Sequence, residues 1–387
     1  MTDRPPSNDM IYFDYNASAP VAPECIDAAS EYLDRGYGNP SSKHGAGELA
    51  KRALQEARTQ VAGLLNAQAA EIVFTAGGTE GNHAAVLGAL ARAPEKNHIV
   101  TSRVEHPSLL LLFEHLETHG VRVTYLEVDA AGRLDPQQID AAIEKDTALV
   151  SLMWANNETG VVFPVAEAAR RARLKGVLFH SDAVQAAGKL AIDVTSMPVD
   201  LLTLSGHKLY APAGIGVLYM RKGLKLPPLL FGHQERGRRG GTENASGIVA
   251  LGIAALLAGD GLHAEMPRVS ALRRRLEQGV LERFPFASIN GADAERIANT
   301  SNIRFGDLNG EAIVQKLDQA GVCVSQGAAC SAGGTEPSHV LTAMGLTPEA
   351  AQASIRFSLG RYNTVEEVDR VLEILSSIVA SGVANAA

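Results

Sequence analysis

Seven short β-rich runs alternate with helix-like segments between residues 50 and 220, and this alternation restricts the fold more than any other feature of the chain. The runs are Ile72–Thr75, Ile99–Thr101, Val121–Tyr125, Leu149–Met153, Val177–His180, Leu201–Leu204 and Gly216–Tyr219. Strands interleaved with helices predict an α/β domain built on a mostly parallel sheet. Residues Pro164 to Lys175 illustrate one connecting helix: proline at the start, arginines and lysine toward the end, and Gly176 as the stop. After Gly261 the strands become fewer and further apart, at Asn302–Phe305, Val322–Ser325 and Ser354–Ser358, which predicts a second, smaller α+β domain. That domain closes with an amphipathic helix whose Thr364 and Glu367 fit a capping box.

Bulk properties narrow the classes of function. A chain of 387 residues with 46% hydrophobic residues can bury a full core. Its formal charge of −8 argues against broad binding to nucleic acid or anionic membrane. No uninterrupted apolar run approaches the roughly 20 residues that span a bilayer, so no membrane role is expected. The first twenty residues lack a cationic segment followed by an apolar one, so they resemble no signal peptide. Three cysteines, Cys25, Cys323 and Cys330, show no Cys-x-x-Cys or Cys/His ligand spacing, which points to a reduced, cytoplasmic protein without a metal site.

The densest chemical signal is Ser205-Gly206-His207-Lys208, directly after the apolar run Leu201–Leu204. A lysine there is poorly solvated, which lowers its pKa and suits it to Schiff-base formation; a surface lysine after a strand is the plainer reading. Asp182 follows another strand, and ligands of open α/β sheets sit beyond the carboxyl ends of strands, so Asp182 and Lys208 would share one crevice. Pyridoxal 5'-phosphate needs such a pair, a lysine for its aldehyde and a carboxylate for its ring nitrogen, although Asp182 alone also fits a helix cap. Thr75-Ala76-Gly77-Gly78-Thr79 lies between a strand and a helix-like run, where backbone N–H groups favour phosphate. The same glycines also fit an ordinary turn, as do those of Gly214-Ile215-Gly216. His106 could stack on a ring or move protons, or be structural, and Asn156-Asn157-Glu158 offers either ligand-orienting amides or turn chemistry.

In their order along the chain these pieces resemble a cysteine desulfurase of the class V aminotransferase group, over nearly the whole length from Tyr12-Phe13-Asp14-Tyr15-Asn16-Ala17 to Arg356-Phe357-Ser358-Leu359-Gly360-Arg361. Met153-Trp154-Ala155-Asn156-Asn157-Glu158-Thr159-Gly160 and Gly232-His233-Gln234-Glu235-Arg236-Gly237-Arg238-Arg239 resemble most closely its nitrogen-fixation (NifS-like) branch. The resemblance implies a fold-type I transferase with a seven-stranded sheet. Its large domain would span 17–262, and its small domain would combine 1–16 with 263–387. It implies that Lys208 carries the cofactor, Asp182 holds the pyridine nitrogen, Gln185 and Asn157 face the ring hydroxyl, and His106 stacks on the ring. Phosphate contacts map to Gly78, Thr79, Ser205 and His207. Thr242 would reach the phosphate of a neighbouring subunit, making a homodimer with a shared active site. Asn16 stands where some relatives carry serine, a departure that leaves these roles intact.

Cys330 lies in a glycine-containing loop of small residues, where an exposed thiol would be reactive, whereas Cys323 falls in an apolar run and is expected in the core. Arg356 alternates with apolar residues in Ile355-Arg356-Phe357-Ser358, where its planar guanidinium would clamp a substrate carboxylate, unless it is an exposed edge-strand arginine. For the segment Arg236 to Arg239, charge alone suggests a solvated basic loop. The implied reaction takes L-cysteine to L-alanine and leaves a persulfide on Cys330 for an iron-sulfur scaffold protein, with nitrogenase assembly as one destination. Alternatives are an aminotransferase or selenocysteine lyase of the same fold, and a non-catalytic sulfur-relay protein.

Overall fold

The computed structural model describes residues 10–35, 37–327 and 336–384. Its strands are β1 (Ile11–Tyr12), β2 (Ile72–Thr75), β3 (His98–Ser102), β4 (Arg122–Leu126), β5 (Thr147–Met153), β6 (Leu178–Asp182), β7 (Leu201–Ser205), β8 (Gly216–Met220), β9 (Ala287–Asn290), β10 (Thr300–Phe305), β11 (Val322–Cys323) and β12 (Ser354–Ser358). Seven of them form one sheet in the order β2-β8-β7-β6-β5-β3-β4. Strands β3 to β7 are joined as parallel neighbours, and β8 alone runs antiparallel, between β2 and β7. Each of the seven apolar runs read from the sequence is one of these strands.

Why these runs lie inside is visible in their burial. All residues of β2, β3, β5, β7 and β8 are buried, the signature of strands covered on both faces, where alternation gives way to continuous apolar sequence. One covering layer is the helix Gly78–Arg92, which packs on β2, β7 and β8. Another is the helix Val165–Leu174, which lies against β5 and β6.

A second core forms around the antiparallel sheet β12-β10-β9 and the helices Gly310–Gln319 and Val365–Ala384. Phe13, Phe305 and Phe357 are fully buried there, each contributing roughly 1.5–3 kcal/mol by leaving water. Phe13 comes from the N-terminal segment, whose β1 pairs in parallel with β11. The closing helix starts with the expected reciprocal cap: Glu367 N–H donates to Thr364 Oγ1 and Thr364 N–H to Glu367 Oε2, both at 3.2 Å.

The long helix Ala245–Arg283 joins the two cores and contains position 262 in its interior. Ile248, Leu251 and Ala254 belong to the first core, Val269, Leu272 and Leu276 to the second. By length and composition alone this helix could cross a bilayer. Counting only uninterrupted apolar residues understates it, because alanine and glycine dilute the run. Here that surface closes on the helices Pro23–Arg35 and Gly45–Leu64.

Candidate active site

The carboxyl ends of the parallel strands converge on one pocket of about 380 Å³, within the size range of small-molecule sites. Strand β2 ends at the helix Gly78–Arg92, β3 leads to His106, β5 to Asn157, β6 delivers Asp182 and Gln185, and β7 delivers Ser205, His207 and Lys208. All of these residues line the pocket, together with Thr79 and Arg356. Thr242 does not. It is exposed and lies beside Thr75, Ala76 and Gly214 in a separate depression.

The two glycine pairs have different jobs. A Cβ at Gly78 would sit 2.9 Å from Val184 Cγ2, so the start of the helix can lie against the Asp182 loop only without a side chain. Gly216 is more than a turn residue: a Cβ there would be 2.7 Å from the Gly77 backbone, and its absence lets β8 pass directly beside the Gly77-Gly78 segment.

Asp182 is nearly sealed from solvent. Its Oδ1 accepts from Val184 N–H at 2.9 Å and its Oδ2 from Asn82 Nδ2 at 2.8 Å, with no ion pair among the described residues. Asn82 also donates to Ser108 Oγ at 3.0 Å, and that hydroxyl lies 2.9 Å from His106 Nδ1. His106 Nδ1 further accepts from Ser108 N–H, which caps the helix Pro107–Glu117. The neutral ring therefore carries its proton on Nε2. Burial holds the His106 pKa below its ordinary value, with the Lys208 and His339 charges acting in the same direction and Asp182 opposing. His207 is pushed down to about 4, by burial first and then by Lys208, His106 and Lys189.

Asn82 had no place in the reading of the sequence, although it lies one helical turn after Gly78 and so faces the same way. Replacing Asn82 by leucine removes a charge-assisted hydrogen bond from Asp182. Cofactor affinity is expected to fall about 10- to 100-fold, from roughly 1.5–3 kcal/mol, read by titrating the apoprotein with pyridoxal phosphate. An unchanged affinity overturns this role for Asn82.

On the opposite wall a polar chain links both cores. Lys208 Nζ donates to the carbonyls of Asn16 and Ala17. Asn16 Nδ2 donates to Asn157 O at 3.1 Å, and Arg356 Nη1 donates to the same carbonyl at 3.1 Å. Arg356 is only 1% exposed and pairs through Nη2 with Asp14 Oδ1 at 2.8 Å, so it is not an exposed edge arginine. Asn156 and Asn157 divide the two readings between them. Asn156 Oδ1 accepts from the N–H groups of Glu158 and Thr159, which is turn chemistry, while Asn157 faces the pocket.

Three further expectations change. The Arg236–Arg239 segment is tied down: Arg239 pairs with Glu80 at 2.9 Å, and Arg238 donates to the carbonyls of Ala70 and Ile72. Buried Glu235 beside them takes Arg58 through two hydrogen bonds of 2.7 Å, and its backbone sits at a φ of 49°. The expected strand Val322–Ser325 reduces to the two residues of β11, and Cys323 is partly exposed with its Sγ 3.0 Å from Met10 Sδ. On this strand Val322 takes the buried face, and Cys323, next in the alternation, turns to the opposite side. Cys25 is the fully buried thiol, pushed up to about 12 by burial. Cys330 lies outside the described residues.

Residues 11–371 match the family model described as Aminotransferase class-V. The chain belongs to this family. Its members are pyridoxal-phosphate enzymes. The chain is 51% identical over 371 residues to cysteine desulfurase 2 of Trichormus variabilis, an alignment covering 96% of this chain and 93% of that one. A solved NifS-like protein superposes with a TM-score of 0.90 at 34% identity, covering 96% of this chain and 99% of its own. A structure titled SspA in complex with cysteine superposes at 0.81 with 37% identity, covering 92% of this chain and 100% of that one.

The pocket suits this family's cofactor on its own terms. A helix N-terminus whose first N–H groups have no intrahelical acceptor stands beside Ser205, and a buried carboxylate held by neutral donors awaits a cationic N–H. A phosphate and a protonated ring nitrogen match those two features.

Proposed function

We propose that this chain is a cysteine desulfurase, converting L-cysteine to L-alanine and retaining the sulfur as a persulfide on Cys330. One observation carries most of the weight: the hydrogen-bonded path from Lys208 through Asn16 and Asn157 to Arg356, which brings an amine and a guanidinium to one pocket from separate cores. Bound pyridoxal phosphate supplies an aldehyde that captures amines and a ring that delocalises the electron pair left at the substrate Cα.

In this reading Gly78, Thr79, Ser205 and His207 hold the phosphate, and Asp182 holds the ring nitrogen. Asn157 and Gln185 orient the ring-hydroxyl side. Arg356 receives the substrate carboxylate. Lys208 would hold the cofactor aldehyde and move the substrate α-proton, and His106 would stack on the ring and carry protons at Nε2. The Cys330 thiolate then attacks the substrate sulfur: an S–S bond forms, the C–S bond breaks with its electron pair going to the carbon side, Cβ takes up the proton that the Cys330 thiol gave up, and the α-proton returns to Cα, giving alanine. Both described flanks of the Cys330 segment contact residues next in sequence to the pocket residues His106 and Asn157. Ser338 Oγ donates to Glu158 Oε2, His339 Nε2 lies 2.9 Å from Glu105 O, and a Cβ on Gly327 would be 3.7 Å from Glu158 Oε2.

The persulfide sulfur passes to an iron-sulfur scaffold protein in the cytoplasm, with nitrogenase clusters as one end use. The enzyme acts as a homodimer in which Thr242 completes the phosphate site of the second subunit. An aminotransferase of this fold has no use for Cys330. Cys330→Ala is expected to lose alanine and sulfide release while keeping the yellow absorption of bound cofactor. Turnover of cysteine unchanged in that variant refutes the desulfurase.

A further inference from the structure

Lys189 is a half-buried amine that the reaction above does not use. It follows Gln185 by four residues in a helical turn, with Ala187 N–H donating to Ala183 O at 2.9 Å and Leu190 N–H to Ala186 O at 2.9 Å. Its Nζ donates to Gln185 Oε1 at 2.7 Å, and it has no ion pair among the described residues. It faces a second, narrow cavity behind Lys208, with Tyr15, Tyr210, Glu265 and Arg361 around it. Glu265 is already paired with Arg361 at 2.7 Å. Burial, then the charges of Lys208 and Arg356, push Lys189 down to about 7.

An amine without a carboxylate partner in such a place is costly, so its single strong contact is informative. An ammonium has three donors and no acceptor. While Lys189 is protonated, the Gln185 oxygen faces it and the amide nitrogen faces the other way. There it donates to Asn16 O at 3.1 Å, the carbonyl that also takes Lys208. Gln185 is 5% exposed and lines the cofactor pocket, so its orientation decides whether the pocket meets a donor or an acceptor.

We infer that Lys189 is a positioning residue: it fixes the Gln185 amide so that only N–H groups face the cofactor's ring oxygen, which selects the anionic form of that oxygen. This rests on the pyridoxal-phosphate reading of the site. A donor to an anion stabilises the deprotonated state, so the bound cofactor's visible band should titrate at lower pH with Lys189 than without it.

The experiment is a double-mutant cycle on the holoenzyme, following the band against pH in wild type, Lys189→Met, Gln185→Leu and the double variant. Lys189→Met is expected to raise the midpoint by about one pH unit, the size of one charge-assisted hydrogen bond. Lys189→Arg, which keeps a donor-only cation, should restore it, and Lys189→Met should shift it clearly less in the Gln185→Leu background, where only the direct effect of the lost charge on Lys208 remains. Should Lys189→Met fail to fold, Lys189→Ser serves, since water filling the space both donates and accepts and no longer forces the amide. No midpoint shift, or an equal shift with and without Gln185, overturns the inference. A wild-type protein that shows no cofactor band at all refutes the functional reading instead.

Discussion

Lys208→Ala is expected to stop alanine and sulfide release, by at least about 10⁴-fold, without unfolding the chain. Loss of a positioned acid-base group alone costs about 10²–10⁴-fold, and here the same amine also anchors the cofactor. Lys208 is half-buried at the pocket wall after β7, within a 3-10 turn directly following a fully buried strand. Removing its side chain leaves Asn16 O with another donor, Gln185 Nε2, and leaves the carbonyl of half-buried Ala17 at the pocket wall, where water can replace the lysine, so stability should change little. Lys208→Arg keeps the charge but should not restore activity, because a guanidinium remains protonated and is a poor nucleophile. The measurements are product release from cysteine and borohydride fixation of cofactor to the chain. Fixation persisting in Lys208→Ala would place the reactive amine elsewhere, with Lys189 as the nearest alternative in the same cavity wall.

The large sheet was legible in the sequence because its strands are buried on both faces. Val150 and Leu152 point to one core, Leu149 to another, and such double burial writes itself as a continuous apolar run. β9 escaped notice for the opposite reason: Ala287–Asn290 has one exposed and one partly exposed position and ends in asparagine, so it carries neither a run nor a clean alternation. The apolar run predicts a longer β11 because Val324 extends it, whereas Val322 and Cys323 pair with β1 and Ser325 makes an isolated bridge to Arg356 of β12.

Site residues at strand ends were legible in the same way, since chemistry-bearing types after apolar runs fall at one edge of a parallel sheet. Lys208, Asp182, His106 and Asn157 all arrived where that rule places them. What could not be read were partners chosen by tertiary contact. Asn82 reaches Asp182 across 100 positions, and Asp14 reaches Arg356 across 342. Neither spacing has a local signature. Asp14 sat inside a motif that was recognised as a whole, without any means of seeing that its carboxylate serves the guanidinium near the other end of the chain.

That distant pair separates stability from binding. Asp14→Ala leaves the Arg356 guanidinium at 1% exposure with Asn157 O as its remaining acceptor, and its Nε is already buried without a hydrogen-bond partner among the described residues. Removing one member of a buried ion pair costs about 3–5 kcal/mol, so the unfolding midpoint in denaturant should fall clearly. Arg356→Met acts differently: it deletes the fully buried charge and leaves the Asp14 carboxylate, whose side chain is 15% exposed and can take water, so its cost in stability should be smaller than that of Asp14→Ala. It also removes the group assigned to the substrate carboxylate, so KM for cysteine should rise about 10- to 100-fold, the worth of one charge-assisted hydrogen bond of roughly 1.5–3 kcal/mol, or more if both bonds of a fork are lost. In the double variant neither charge of the pair remains, and the stability lost in Asp14→Ala should largely return while KM stays high. Denaturation and steady-state kinetics on the three variants separate the two roles. Equal cysteine affinity in Arg356→Met would mean that the buried ion pair is purely structural, joining the N-terminal segment to β12 and leaving the carboxylate to be held by another group.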